Sequence, residues 1–196
     1  MRYSSDRKQE TRARVLKEAT KEIRTKGPHD FAVAGVMTRA GLTHGGFYAH
    51  FASKEALVAE AIGAMFDDAR GRARTFQEIE NPRDALRGYF AFYLSPAHRD
   101  GRDRGCPLPA LTGDVARLTG PGSDRFRAGI KGLAGLLAGL LSRIGVEDAE
   151  RQGNALLAQL VGAVSLARAL GSGEASDAML KDTQDQLLAL YGLEDR

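Results

Sequence analysis

Between Thr43 and Lys54 the chain gathers a hydroxyl, two imidazoles, a phenol and an ammonium on Thr43, His44, Tyr48, His50 and Lys54. Hydroxyl, imidazole, phenol and ammonium groups at such spacing suit phosphate oxygens and base edges. They do not make a catalytic set. Elsewhere there is no Gly-rich phosphate loop, no His/Cys cluster with metal spacing and no serine nucleophile elbow. The expectation is therefore no enzyme, no cofactor and no metal. His98 and Cys106 lie close together, but between Asp100, Asp103 and three arginines they do not form a thiol hydrolase.

Cys106 is the one cysteine, so no internal disulfide can form, which fits a reducing cytoplasm. It follows Arg102, Asp103, Arg104 and Gly105 and precedes Pro107 at an expected helix start. There a thiolate could be favoured by nearby arginines and the helix N-terminus. The other reading is a small apolar side chain packed at a loop-to-helix junction.

The elements that must carry these groups are helical. Sustained apolar/polar alternation is absent and Ala and Leu dominate, so the fold class is all-α. Val15, Leu16, Ala19 and Ile23 make one stripe on a helix from Asp6 to Lys26, which Gly27-Pro28 ends. A short helix spans 33–40, and Gly41 stops it. A second starts after Thr43 and ends near Phe51, and Ser53 caps a longer helix from Lys54 to Thr75 or Phe76. Further helices are expected from Asn81-Pro82, over 108–118, from Ser123 or Asp124 to Ile144, over 147–170 and over 177–191, with 95–106 a loop. The total is about nine. The division is 1–53, a three-helix DNA-binding head, and 54–196, a helical ligand-binding and dimerisation body.

Charge divides the same way. Residues 1–55 hold eleven Lys/Arg against six Asp/Glu and three of the four histidines, whereas the remainder is faintly acidic. A basic head on such a body suits a polyanion, although a solvated first helix has the same composition. Two short helices joined by a glycine turn after a longer basic helix form a helix-turn-helix pattern. Val36, Ala40, Leu42 and Phe47 are its expected small core. No apolar run approaches the roughly 20 residues that span a bilayer. The polar opening, Met1 to Glu10, does not read as a secretory signal. A cytoplasmic protein without a membrane partner is expected.

Residues 31–57, FAVAGVMTRAGLTHGGFYAHFASKEAL, resemble the N-terminal signature of TetR-type regulators. The shared elements are Ala40-Gly41-Leu42-Thr43, Gly45, Phe47-Tyr48, His50-Phe51, Ser53-Lys54-Glu55 and Leu57. The resemblance implies nine helices, a homodimer and a C-terminal ligand domain controlling DNA affinity. It also implies that Tyr48 contacts phosphate or a thymine methyl and that Lys54 contacts phosphate. The DNA-binding set is Arg39 at the edge, Thr43, His44, Gly45, Tyr48, His50 and Lys54. His50 has two readings, a bond to its own helix end or a DNA contact. Three residues depart from the family pattern: Ala32 lacks a capping hydroxyl, His44 replaces a cationic or small polar residue, and Gly46 cannot read a base. Some relatives in this family sense oxidants or electrophiles through a cysteine in a comparable Gly-Cys segment, which bears on Cys106.

In the body, Phe66, Tyr89, Phe90, Tyr93, Cys106, Leu111 and Leu137 could line a pocket for a small apolar or aromatic effector. A filled core would use the same residues. Gly129, Gly132, Gly135 and Gly139 on one helix imply close helix approach, a cavity, or composition bias. Leu156, Leu160, Val164, Leu187 and Tyr191 on the last two helices are the expected dimer face. The function expected is a ligand-responsive regulator, by family default a repressor, that binds a pseudo-palindromic double-stranded operator as a dimer. The alternatives are a sequence-tolerant DNA-binding structural protein without effector, and a regulator whose signal is oxidation of Cys106.

Overall fold

The computed structural model describes residues 2–194, with side chains from residue 6 onward. Met1, at the start of the polar opening, and the last two residues of the 54–196 unit lie outside the described residues. Among the described residues there are nine α-helices, one 3₁₀ helix and no strand.

The head begins with α1 (Arg2–Asp30). Val15, Ala19 and Ile23 are fully buried along one stripe, as their spacing predicts, and Leu16 is half-buried. Gly27 takes φ 82, so the backbone leaves helical geometry where the sequence predicts a stop, and Pro28 opens one further turn. Helix α2 (Val33–Arg39) starts at Ala32 without a side-chain cap. Gly41 at φ 74 makes the left-handed turn. The next element, His44–Ala49, is a 3₁₀ helix of six residues rather than an α-helix. Its two glycines are poor helix formers, and short runs of this kind favour the tighter form.

Helix α3 (Lys54–Gln77) joins head to body. The Ser53 hydroxyl accepts from the Ala56 N–H at 3.1 Å, which caps the helix as expected. Its buried side runs from Leu57 through Ile62, Met65 and Phe66 to Ala73. The body continues with α4 (Pro82–Tyr93), α5 (Pro96–Asp100), α6 (Pro107–Val115), α7 (Pro121–Arg143), α8 (Ala149–Leu170) and α9 (Glu174–Leu190). Helix α5 lies inside the expected loop 95–106, where the Ser95 hydroxyl accepts from the His98 N–H, and it brings the total to ten. Helix α7 starts at Pro121, before the expected caps Ser123 and Asp124, because Pro fits a first helical turn. Ser123 is buried instead, its hydroxyl accepting from Arg127.

Helix α7 packs against α3 on one side and α8 on the other, and α9 covers α8. Its glycines divide by environment. A Cβ on Gly129 stands 2.3 Å from the Phe66 ring, whereas one on Gly135 meets nothing within 4 Å. On α8, a Cβ at Gly153 stands 2.7 Å from the Ala134 carbonyl oxygen, so that glycine permits close approach of α7 and α8. Helix α8 is long and apolar enough, by length and composition alone, to cross a membrane, which the reading of apolar runs did not anticipate. Arg168 stands in its last turn.

Gly129→Ala is expected to cost about 1–3 kcal/mol of stability through overpacking against Phe66. Gly135→Ala is expected to be neutral or to stabilise by up to about 1 kcal/mol. Urea denaturation of the two variants checks this.

Candidate functional site

The recognition segment is short, and its position depends on neighbours. Phe47 and Phe51 are buried and stack with centroids 5.8 Å apart. Arg12 of α1 closes over this pair, with its guanidinium 4.8 Å from the Phe51 ring centroid. The same guanidinium donates to the His50 carbonyl at 3.3 Å and pairs with Glu60 of α3. One side chain thereby links α1, the end of the 3₁₀ helix and α3. The sequence offers Arg12 as a phosphate contact or as part of a solvated face, and in the structure it is engaged inside the head.

On the outer side stand the groups that could touch DNA. Tyr48 is 74% exposed and rests edge-on against Phe47, with centroids 5.2 Å apart. Thr43, His44 and Gly45 are exposed beside it. Thr43 makes no side-chain cap bond, so its hydroxyl is not used by its own helix. A Cβ at Gly46 would meet only ordinary contacts, with Met37 and Thr43 at 3.8 Å, so an alanine fits there. His50 is half-buried, and its Nδ1 is buried without a hydrogen-bond partner.

Two predicted contacts are differently engaged. Arg39 turns back onto α1 and pairs with Glu22 at 3.0 Å and Glu18 at 3.9 Å. In the DNA-free protein Arg39 thereby ties α2 to α1, with its side chain still 41% exposed. Lys54 donates to the His29 carbonyl at 2.8 Å and lies 4.6 Å from the Phe31 ring centroid. It therefore joins the end of α1 to the start of α3. An ammonium has three donors, so two remain for a phosphate.

In the body, three of the expected pocket residues come together. Tyr89, Tyr93 and Cys106, with Arg72, Phe92, His98 and Leu133, bound a void of about 10 Å³. That is room for about one water. Phe66, Phe90, Leu111 and Leu137 are ordinary core instead: Phe66 packs edge-on to Phe126, Phe90 lies against Tyr191, and Leu111 and Leu137 are fully buried. The space expected for an effector is filled by their side chains. Within the void His98 is held from both ring nitrogens. Nδ1 lies 2.7 Å from the Tyr93 carbonyl, and Nε2 accepts from the Cys106 N–H at 3.0 Å. The Tyr93 hydroxyl is buried without a partner of hydrogen-bonding geometry. Burial pushes the Cys106 thiol above its ordinary value and outweighs the opposing effects of Tyr93, the Leu108 backbone, Arg72 and Arg168. This corrects the expectation of a favoured thiolate.

Four of the five expected dimer residues are core of the single chain. Leu156, Leu160, Val164 and Leu187 are at most 1% exposed within the single chain, and Tyr191 is half-buried. A side chain without free surface has none to give a partner. The outward apolar residues are Leu166, Leu170 and Leu190, at 55%, 54% and 63% exposure.

Burial pushes the His98 imidazole down to about 4, against a smaller upward effect of the Tyr93 carbonyl. The unfolded ring charges near about 6.5. Below that pH the unfolded chain binds the proton more readily, so stability falls as pH drops from about 6.5 toward about 4, by about 3 kcal/mol in all. The ring is expected to remain neutral at about pH 5. Imidazole carbon and nitrogen shifts in an NMR titration check this, and a charged ring at that pH contradicts it.

Residues 15–61 match the family model described as bacterial regulatory proteins, tetR family. The uncharacterized HTH-type transcriptional regulator YdgC of Bacillus subtilis (strain 168) is 41% identical over 69 residues, or 35% of this chain and 33% of that one. The match thus spans a third of that relative's length. Among solved structures, a TetR regulator from Chloroflexus aurantiacus superposes with a TM-score of 0.82 at 25% identity, over 95% of this chain and 96% of that one. A TetR-family regulator from Agrobacterium tumefaciens gives 0.80 at 21% identity, over 93% and 98%. The reduced form of Escherichia coli NemR gives 0.80 at 20%, over 92% and 97%. The last two likenesses concern the fold alone. Residues 15–61 thus carry the tetR family model, and the all-helical fold of the chain is similar to that of the TetR regulator from Chloroflexus aurantiacus.

Proposed function

We propose that the protein regulates transcription by binding a pseudo-palindromic DNA site as a dimer and releasing it when a small apolar or aromatic effector binds. The observation that carries the DNA part is the 74% exposed Tyr48. A phenol ring that touches the core only edge-on, at Phe47, leaves most of its surface for a partner. With Thr43, His44 and Gly45 it makes a face that enters a major groove, and the free ammonium donors of Lys54 take a backbone phosphate. His44 and Thr43 carry the base reading that Gly46 cannot supply. His50 supports them from behind.

The dimer uses the outer face of α8, where Ala155, Ala158, Gly162, Leu166 and Leu170 recur at helical spacing, together with Leu190 of α9. Small residues with exposed leucines suit a four-helix interface about a two-fold axis. The effector enters at the void bounded by Tyr89, Tyr93, His98 and Cys106, and the buried Tyr93 hydroxyl, which meets no partner with full hydrogen-bonding geometry, supports this choice. The space must open for it, and that opening is the conformational change coupled to DNA release. The buried, proton-holding thiol of Cys106 does not favour an oxidation signal.

Selection from random duplexes with the purified protein is expected to enrich a two-fold-related sequence. Lys54→Ala weakens binding to all duplexes alike and reduces the salt slope by about one. His44→Ala shifts the preferred sequence, with about 1–3 kcal/mol lost at the position it reads. Failure to enrich any sequence overturns the reading in favour of a sequence-tolerant binder.

A further inference from the structure

A cleft of about 230 Å³ lies where head meets body. Its walls come from three separate segments. The end of α1 gives Pro28 and His29, the start of α3 gives Lys54, Glu55 and Val58, and the connection from α6 to α7 gives Arg117 through Gly122. Val58, Leu118, Pro28 and Pro121 supply an apolar lining, and Lys54 and Arg117 bring two positive charges. The Arg117 guanidinium is 72% exposed and pairs with Asp114 at 3.3 Å. Glu55 is the carboxylate among the lining residues, and it is already turned to its own N–H and to the Ser53 hydroxyl.

We infer that this joint cleft binds a small carboxylate bearing one ring, or an apolar group of similar size, in competition with DNA. The volume fits the class, since an apolar cavity of about 150 Å³ holds benzene. Charge fits it as well: the carboxylate takes Arg117 and the free donors of Lys54, and the ring lies on Val58 and Leu118. Competition follows because Lys54 is also the phosphate contact. One ammonium cannot give the same donors to both anions, so each ligand weakens the other by one shared factor. This second step rests on the DNA-binding reading above, whereas the carboxylate site does not. The site is separate from the void at Cys106 and shares no residue with it.

The test uses the full-length protein with benzoate as the probe and benzamide as its neutral counterpart. Calorimetry is expected to show saturable benzoate binding and none of benzamide. Arg117→Glu is expected to weaken benzoate at least about tenfold, as loss of a charged hydrogen bond does. Lys131→Glu, which makes the same charge change on the exposed face of α7, leaves it unaltered. Circular dichroism verifies that Arg117→Glu keeps the fold. With the duplex from the selection experiment, benzoate raises the Kd for DNA, and DNA raises the Kd for benzoate by the same factor. No saturable benzoate binding, equal binding of benzamide, or an equal loss in Lys131→Glu overturns the site. Benzoate binding that leaves DNA affinity unchanged overturns the competition. If no duplex is bound at all, the DNA-binding reading fails, while the benzoate measurements still decide the site.

Discussion

The clasp made by Arg12 is the contact on which the head depends. A six-residue 3₁₀ helix with two glycines cannot hold its own shape, since isolated helices shorter than about 12–15 residues are marginal in water. Its shape is imposed from outside. Phe47 and Phe51 anchor it to the core, and Arg12 covers Phe51 while bonding to the His50 carbonyl and to Glu60. Arg39 ties α2 to the same α1 through Glu18 and Glu22. Tyr48 is left outward, beside His44, because Phe47 and Phe51 take the inward positions. Exposure at the recognition face is thus a result of burial behind it.

The head is tied to the body by a similar device. The segment from His98 to Arg104 has four carbonyls taken by guanidinium groups from three helices. Arg24 of α1 donates to Asp103 at 3.2 Å and Arg72 of α3 to Arg104 at 3.0 Å. Arg168 of α8 holds the carbonyls of His98 and Arg99, at 3.1 and 3.0 Å. Arg24 is buried, and its Nε and Nη2 lack hydrogen-bond partners, although Asp68 lies 3.6 Å away. A charge held in that way is sensitive to displacement of the segment. The Cys106 region and the first helix of the head are therefore neighbours in contact, although about 80 residues separate them in sequence.

Much of this was legible in the sequence where one residue type answers one local demand. Gly41 meets the left-handed turn, Ser53 caps α3, Asn81-Pro82 opens α4, and the stripe at Val15, Ala19 and Ile23 faces the core. Reading failed where two environments use the same residue. Leucines on α8 and α9 serve equally as core or interface, and Leu156, Leu160, Val164 and Leu187 proved to be core. Apolar residues serve a filled interior and a pocket alike, and of those two readings Phe66, Phe90, Leu111 and Leu137 follow the filled interior here. Arg39 resembled a free cation because its partners Glu22 and Glu18 lie 17 and 21 residues back, on a different helix. The 3₁₀ form of 44–49 and the helix over 96–100 are too short for periodicity to register.

The central claim is that a clamped face around Tyr48 reads DNA. Amide NMR with increasing amounts of the selected duplex tests it most directly. The account predicts that the amides from Thr43 to His50 and that of Lys54 shift on saturation, while those of α8 and α9 stay nearly still apart from any general broadening. Shifts concentrated on α8 and α9, with residues 43–50 unchanged, would contradict it.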